Sequence, residues 1–253
     1  MIAAAEARAR GEMLDQGWQP LPGQAVPLAM ARLRHSEVEL LSASRPFSLY
    51  LASGVITGEA PPAAKVKEVA GLLARELGRY PPSFLVASRF KRVLMCTHLR
   101  EGDVPIPSLP NYERSLLLDV SAPPAFLRRL VHHEVFHFAD YADDHQLQRD
   151  PEWEKLNDHY FTYGVGGRFM REPGSARLNE SLPGFLSHYA TAALEEDKAE
   201  VFAFVMSAPV AVRRVAARDR IVRAKVAAMK KQVSRLAPEM GAAFWASVEA
   251  GQR

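Results

Sequence analysis

The sequence predicts an α+β chain, a lobe built on a small mixed sheet followed by a mostly helical lobe. Two observations predict it. Short apolar runs bounded by proline, glycine and polar residues recur between residues 48 and 120, the pattern of buried strands. From residue 124 onward the apolar residues fall three or four apart, the pattern of helices packed by one face.

Taken in order, a first helix is expected around residues 3–16, and SLYLASGVI (48–56) reads as a strand. Residues 63–78 place Val66, Val69, Leu72, Leu73 and Leu77 at helical spacing, and Pro81 and Pro82 end that helix. KRVLMCTHL (91–99) reads as a buried strand, GDVPIPSLPNY as a loop and SLLLDV (115–120) as a short strand. A helix over 124–142 opens on proline, which a first turn tolerates. Residues 161–185 form a long ordered loop. Its GVGG lacks the third glycine and the preceding strand of a dinucleotide-binding turn. Helix resumes with LEEDKAEVFAFVMS. Beyond Pro209, Val212, Val215, Val222, Val226, Met229, Val233 and Leu236 define one long helix with an apolar seam. A last helix over 239–249 carries Phe244 and Trp245.

The composition, 48% hydrophobic and 24% charged over 253 residues, is that of a soluble globular protein. No apolar run approaches the roughly 20 residues of a membrane span. The N-terminal MIAAAEARARGEML has no apolar core of the signal-peptide kind. A cytoplasmic location is therefore expected if Met1 is the native start, and a secreted one if a signal was removed. Cys96 is the only cysteine, so no internal disulfide forms, and its VLMC setting makes it a packing residue. Residues 211–235 carry nine Lys or Arg against one Asp, within a net charge of +3. The first reading of this segment is the solvated face of a packing helix. The second is a docking surface for an acidic partner. The segment has no aromatics to stack on bases, so no nucleic-acid partner is expected.

The chemistry concentrates in LVHHEVFHFADY (130–141). His133 and His137 are four apart and share a helix face, with Glu134 one step round. This is an H-E-x-x-H pattern. Two imidazoles one turn apart reach a single tetrahedral ion at about 2.0–2.1 Å. The glutamate then takes a proton from the water that the ion acidifies to a pKa of about 7. Leu130, Val131, Val135, Phe136 and Phe138 surround the motif, which implies a buried helix whose histidines need partners. His132 points about 100° away from His133 and reads as structural or exposed. His98, His145, His159 and His188 have no ligand spacing.

A third ligand is required. Asp140 and Asp143 stand where a ligand pattern continuing along the same helix would need glycine and histidine, which excludes that class. A glutamate from a second helix is the other solution. In LEEDKAEVFAF (194–204), Glu196 and Glu200 are four apart on one face. One of them can ligate while the other hydrogen-bonds a ligating imidazole. Glu195 and Asp197 read as a solvated acidic face balanced by Lys198. Glu200, beside Ala199 and Val201-Phe202, reads as buried.

Together, HHEVFH and SHYATAALEEDKAEVFA resemble the catalytic domain of anthrax lethal factor and related bacterial zinc metallopeptidases. In these gluzincins a tyrosine precedes the ligand glutamate by seven residues and a second glutamate follows it by four. Tyr189, Glu196 and Glu200 match, within the E-x-x-A-E-x-F context, and the match spans roughly residues 80–208. The resemblance implies a zincin-like fold, a small mixed sheet over the H-E-x-x-H helix. It implies His133, His137 and Glu196 as Zn2+ ligands and Glu134 as general base. It also implies Glu200 as the carboxylate behind a ligating imidazole, and Tyr189 as the hydroxyl facing the developing oxyanion.

The implied activity is zinc-dependent endopeptidase cleavage of a protein or peptide. Residues 1–60 would be an N-terminal extension, 61–208 the catalytic domain and 209–253 helices packed on it. SLLLDV would form the sheet edge along the cleft, where an extended peptide adds through main-chain hydrogen bonds. Two rival readings stand beside this one. One is a zinc-binding protein without peptidase activity; the other is an interaction module docking through the basic helix. Two histidines and a carboxylate suit zinc, and iron or manganese can occupy the same set.

Overall fold

The long strand Arg92–Glu101 organises the first half of the chain. A computed structural model describes residues 18–20, 38–51, 54–111, 114–167 and 174–251, so the helix expected over 3–16 lies outside the described residues. The chain divides into two compact units between Arg128 and Arg129. In the first, the strands are β1 (Trp18–Pro20), β2 (Glu39–Ala43), β3 (Phe47–Leu51), β4 (Gly54–Glu59), β5 (Arg92–Glu101), β6 (Val104–Pro105), β7 (Ser108–Pro110) and β8 (Ser115–Asp119). Helices α1 (Ala63–Leu77) and α2 (Pro82–Ala87) lie between β4 and β5 in sequence.

Strand β5 changes partners part-way along. Arg92–Met95 pair with β2 and Arg92–Cys96 with β8, both parallel. Thr97–Glu101 pair antiparallel with β4, and Arg100–Glu101 with β6. Just past the switch, His98 has a φ of 51° in the left-handed region, where histidine is enriched among non-glycine residues. Val93 to Cys96 are buried, as the apolar run requires of a strand covered on both faces. Cys96 is fully buried in the apolar cluster of Phe47, Leu49, Ile56, Leu94 and Leu117, which fits a packing role.

Two expectations are corrected here. SLYLASGVI is not one strand. It spans the antiparallel hairpin of β3 and β4, with Leu49 opposite Ile56. Nor is β8 an edge. Leu116–Leu118 pair antiparallel with β7 on the side away from β5, so main-chain groups of β8 are already used. β7 comes from the proline-rich stretch that reads locally as a loop; its hairpin pairing with the neighbouring β8 overrides that local signal.

Helix α3 (Pro124–Asp144) begins in the first unit and continues into the second. The second unit adds α4 (Pro151–Glu154), a 3-10 turn at Tyr189–Thr191, α5 (Leu194–Ser207), α6 (Pro209–Arg218), α7 (Arg220–Leu236), a 3-10 turn at Pro238–Met240 and α8 (Ala242–Glu249). Phe136 of α3, Phe202 of α5 and Trp245 of α8 form a chain of ring contacts at 5.2 and 6.2 Å.

The one long helix expected beyond Pro209 is two. Asp219 leaves helical geometry, and its Oδ1 accepts the N–H groups of Ile221 and Val222 at 2.8 and 3.0 Å, capping α7. The apolar seam survives the break, with Val212, Val215, Val222, Met229 and Val233 buried. The basic residues are not simply a solvated face. Arg214, Arg218, Lys225, Lys230 and Arg235 each pair with a carboxylate of the same unit, and Lys225 is fully buried. No helix among the described residues is long and apolar enough to cross a membrane.

Candidate metal centre

Helix α3 carries His133 and His137 one turn apart, and both are buried, 5% and 4% exposed. Helix α5 brings Glu196 to them. His133 Nε2 lies 3.0 Å from His137 Nε2 and 3.0 Å from Glu196 Oε2; His137 Nε2 lies 3.5 Å from the same oxygen. A tetrahedral ion with ligands at about 2.0–2.1 Å holds its donors roughly 3.3–3.4 Å apart. The three separations bracket that value, and the donor set of two imidazoles and a carboxylate is one that zinc takes. The residues present fit the ion.

Behind this trio stands Glu200, fully buried. Its Oε1 accepts from His133 Nδ1 at 2.9 Å and pairs with Arg129, while its Oε2 accepts from Ser187 Oγ at 2.7 Å. Glu196 therefore faces one nitrogen of His133 and Glu200 the other. This is the support a ligating imidazole requires, since the second nitrogen must be held to fix tautomer and ring orientation.

Charge in the pocket is set by competition. Burial pushes Glu196 up, but its hydrogen bonds to His133 and His137 outweigh burial and hold it well below the usual carboxylate range. Burial pushes His133 down, but its bonds to Glu196 and Glu200 raise it to about 10. Burial raises Glu200, and Arg129, His133 and Ser187 more than reverse this. The two carboxylates beside His133 thus favour its protonated form.

Glu134 is buried on the same turn of α3 as His133, 5% exposed. Tyr189 opens the 3-10 turn before α5, and its ring centroid lies 6.0 Å from that of His133. The glycine-rich loop reaches the same place. A methyl group at Gly167 would overlap both the Glu196 carboxylate and the Tyr189 hydroxyl, so any larger residue there would displace one or both. Gly164 and Gly166 donate to the carbonyls of Thr191 and Ala192, both at 3.0 Å, which fastens the loop to the Tyr189 turn.

The solved crystal structure of a "putative zinc-binding metallo-peptidase" from Bacteroides caccae ATCC 43185 resembles this chain at a TM-score of 0.57, with 15% sequence identity over 91% of this chain and 93% of that one. The two share a fold. That is the mixed α+β, zincin-like architecture expected from the sequence. No family model matches the chain, and neither does any curated protein.

The expectation of a solvated face at Asp197 is overturned. Asp197 is fully buried, and its Oδ2 lies 2.7 Å from Lys225 Nζ, 2.6 Å from the Tyr163 hydroxyl and 2.9 Å from Trp153 Nε1. Lys198 is also buried and pairs with Asp140 and Asp150. Glu195 is half-buried. His132 is fully buried, and His188 is exposed and hydrogen-bonded to Asn179. Sequence reasoning missed Arg129, Ser187 and Gly167. Only Gly167 left a local signal, a glycine pair inside an otherwise aromatic stretch.

Proposed function

We propose that this chain is a zinc-dependent endopeptidase of the gluzincin type, with His133, His137 and Glu196 holding the ion. One observation carries the reading. Three donor atoms from two helices, two on buried histidines and one on the partly buried Glu196, converge at 3.0–3.5 Å, with a glutamate one residue after the first histidine. When bound, zinc supplies Lewis acidity toward a peptide carbonyl and lowers the pKa of water to about 7.

The chain's own residues do the rest. Glu134 accepts the proton of the attacking water and returns it to the departing amine. Tyr189 donates its hydroxyl proton in a hydrogen bond to the oxyanion that develops on the substrate carbonyl, a contribution of about 10²–10³ in turnover for donors of this kind. Glu200 accepts the Nδ1–H of His133 and keeps Nε2 available to the metal. The spacing of Tyr189, Glu196 and Glu200, which resembles that of lethal factor-type peptidases, supports the same assignment.

The test combines metal content with cleavage of a peptide library. Wild type is expected to bind one zinc per chain and to cleave. Glu134→Gln is expected to keep the zinc and lose about 10²–10⁴ in turnover. Wild-type rates in that variant would dismiss Glu134 as the base. Zinc binding without cleavage of any peptide would favour a zinc protein that is not a peptidase.

A further inference from the structure

Ser187 lies between two parts of the centre that the proposed mechanism treats separately. It is fully buried. Its hydroxyl donates to Glu200 Oε2 at 2.7 Å and accepts the N–H of Ala190 at 3.1 Å. Ala190 is the middle residue of the turn that begins with Tyr189. The other oxygen of Glu200 accepts from His133 Nδ1 at 2.9 Å. A continuous path of hydrogen bonds therefore runs from the ligating imidazole to the backbone of the tyrosine turn.

The direction of each bond is fixed. Arg129, paired with Glu200, favours the ionised carboxylate, which can only accept. The single proton of Ser187 must then point at Glu200, leaving its lone pairs for the Ala190 amide. Alanine can make neither bond. In a buried network each bond polarises the next, so fixing one end fixes the other more firmly.

We propose that Ser187 is a positioning residue that couples occupancy of the metal centre to order in the Tyr189 turn. The proposal rests on the reading of His133, His137 and Glu196 as a metal centre. Zinc fixes the His133 ring, the ring fixes Glu200, and Ser187 passes that constraint to the residues that aim Tyr189.

Hydrogen exchange on peptides covering residues 187–192, with and without zinc, tests it in the full chain. Zinc should slow exchange there about tenfold in wild type, the scale of a hydrogen bond to a charged group. Ser187→Ala should still bind zinc but lose that zinc-dependent slowing. If Ser187→Ala fails to fold, Ser187→Cys fills the same space with a poor donor and should behave as the alanine variant was expected to. Retention of the slowing in whichever variant folds overturns the coupling, as does a wild type that binds zinc with no change at the turn. A wild type that binds no zinc overturns the metal-centre reading itself, and the metal content distinguishes that failure from the others.

Discussion

Glu196 and Asp197 are adjacent on α5, both lie in buried clusters, and they sit in opposite electrostatic company. Asp197 faces donors, namely the Lys225 ammonium, the Trp153 indole N–H and the Tyr163 hydroxyl. Glu196 faces two imidazole nitrogens that can carry lone pairs, at 3.0 and 3.5 Å. The balance of burial against bonding differs accordingly. At Asp197 burial outweighs its partners and raises the carboxyl, while burial also lowers Lys225. At Glu196 the bonds win and the carboxylate is held down. The charge of Asp197 is answered within the protein at Oδ2, where all three donors meet, while its Oδ1 is buried with no hydrogen-bond partner among the described residues. A carboxylate that shares its space with other acceptors calls for a cation, met by a proton on His133 or by a metal.

The largest expected effect breaks the Asp197–Lys225 pair. Asp197→Ala strands the Lys225 ammonium in the interior and should cost about 3–5 kcal/mol in a denaturant melt. Replacing the pair together, Asp197→Leu with Lys225→Met, should recover most of that loss, because a buried ion pair adds little over a packed apolar pair. A loss under about 1 kcal/mol in the single variant would mean that water reaches Lys225.

The Glu196 cluster should respond differently. Zinc at a hundredfold excess over its Kd should stabilise wild type by about 2.7 kcal/mol. Glu196→Ala should lose that increment, and thermal melts with and without zinc read it. Equal zinc stabilisation in the variant would remove Glu196 from the ligand set.

A smaller effect sharpens the contrast through pH. The metal-free protein holds His133 up at about 10 against an ordinary 6.5. That contribution is complete below about pH 6.5 and is lost as pH rises through the folded value. Glu196, held low, contributes above its ordinary value of 4.5 and is lost only on acidification. Metal-free stability should therefore fall between pH about 6.5 and 10, whereas zinc affinity should rise over the same interval because the ion displaces the His133 proton. Chelator competition across this range checks the second trend; pH-independent affinity would mean that His133 carries no proton.

The smallest effect belongs to the surface. Arg214 and Arg218 pair with Glu180 in solvent. Replacing both by alanine should leave the melting midpoint unchanged, since exposed pairs are screened.

Local periodicity made much of this legible. The α1 helix was expected over 63–78 and spans Ala63–Leu77; α3 was expected over 124–142 and spans Pro124–Asp144. The four-residue spacing that puts His133 and His137 on one face, and Glu196 and Glu200 on another, is a property of any α-helix. Such relations extend over one turn and are written in the sequence itself. The cap at Asp219 was also local, an aspartate between two arginines at a helix start, but the uninterrupted valine spacing concealed it.

Tertiary structure decided what spacing could not. Residue spacing left open which glutamate meets which nitrogen of His133; the fold sets Glu196 on Nε2 and Glu200 on Nδ1 across 63 and 67 positions of chain. It buried Asp197 against Lys225, gave Ser187 its place beside Glu200 and let β7 cover β8. Each of these depends on what another element of the fold brings opposite, which spacing within one helix or strand does not record. An acidic residue in the first turn of a helix looks the same in sequence whether water, an ammonium or a metal ligand will face it.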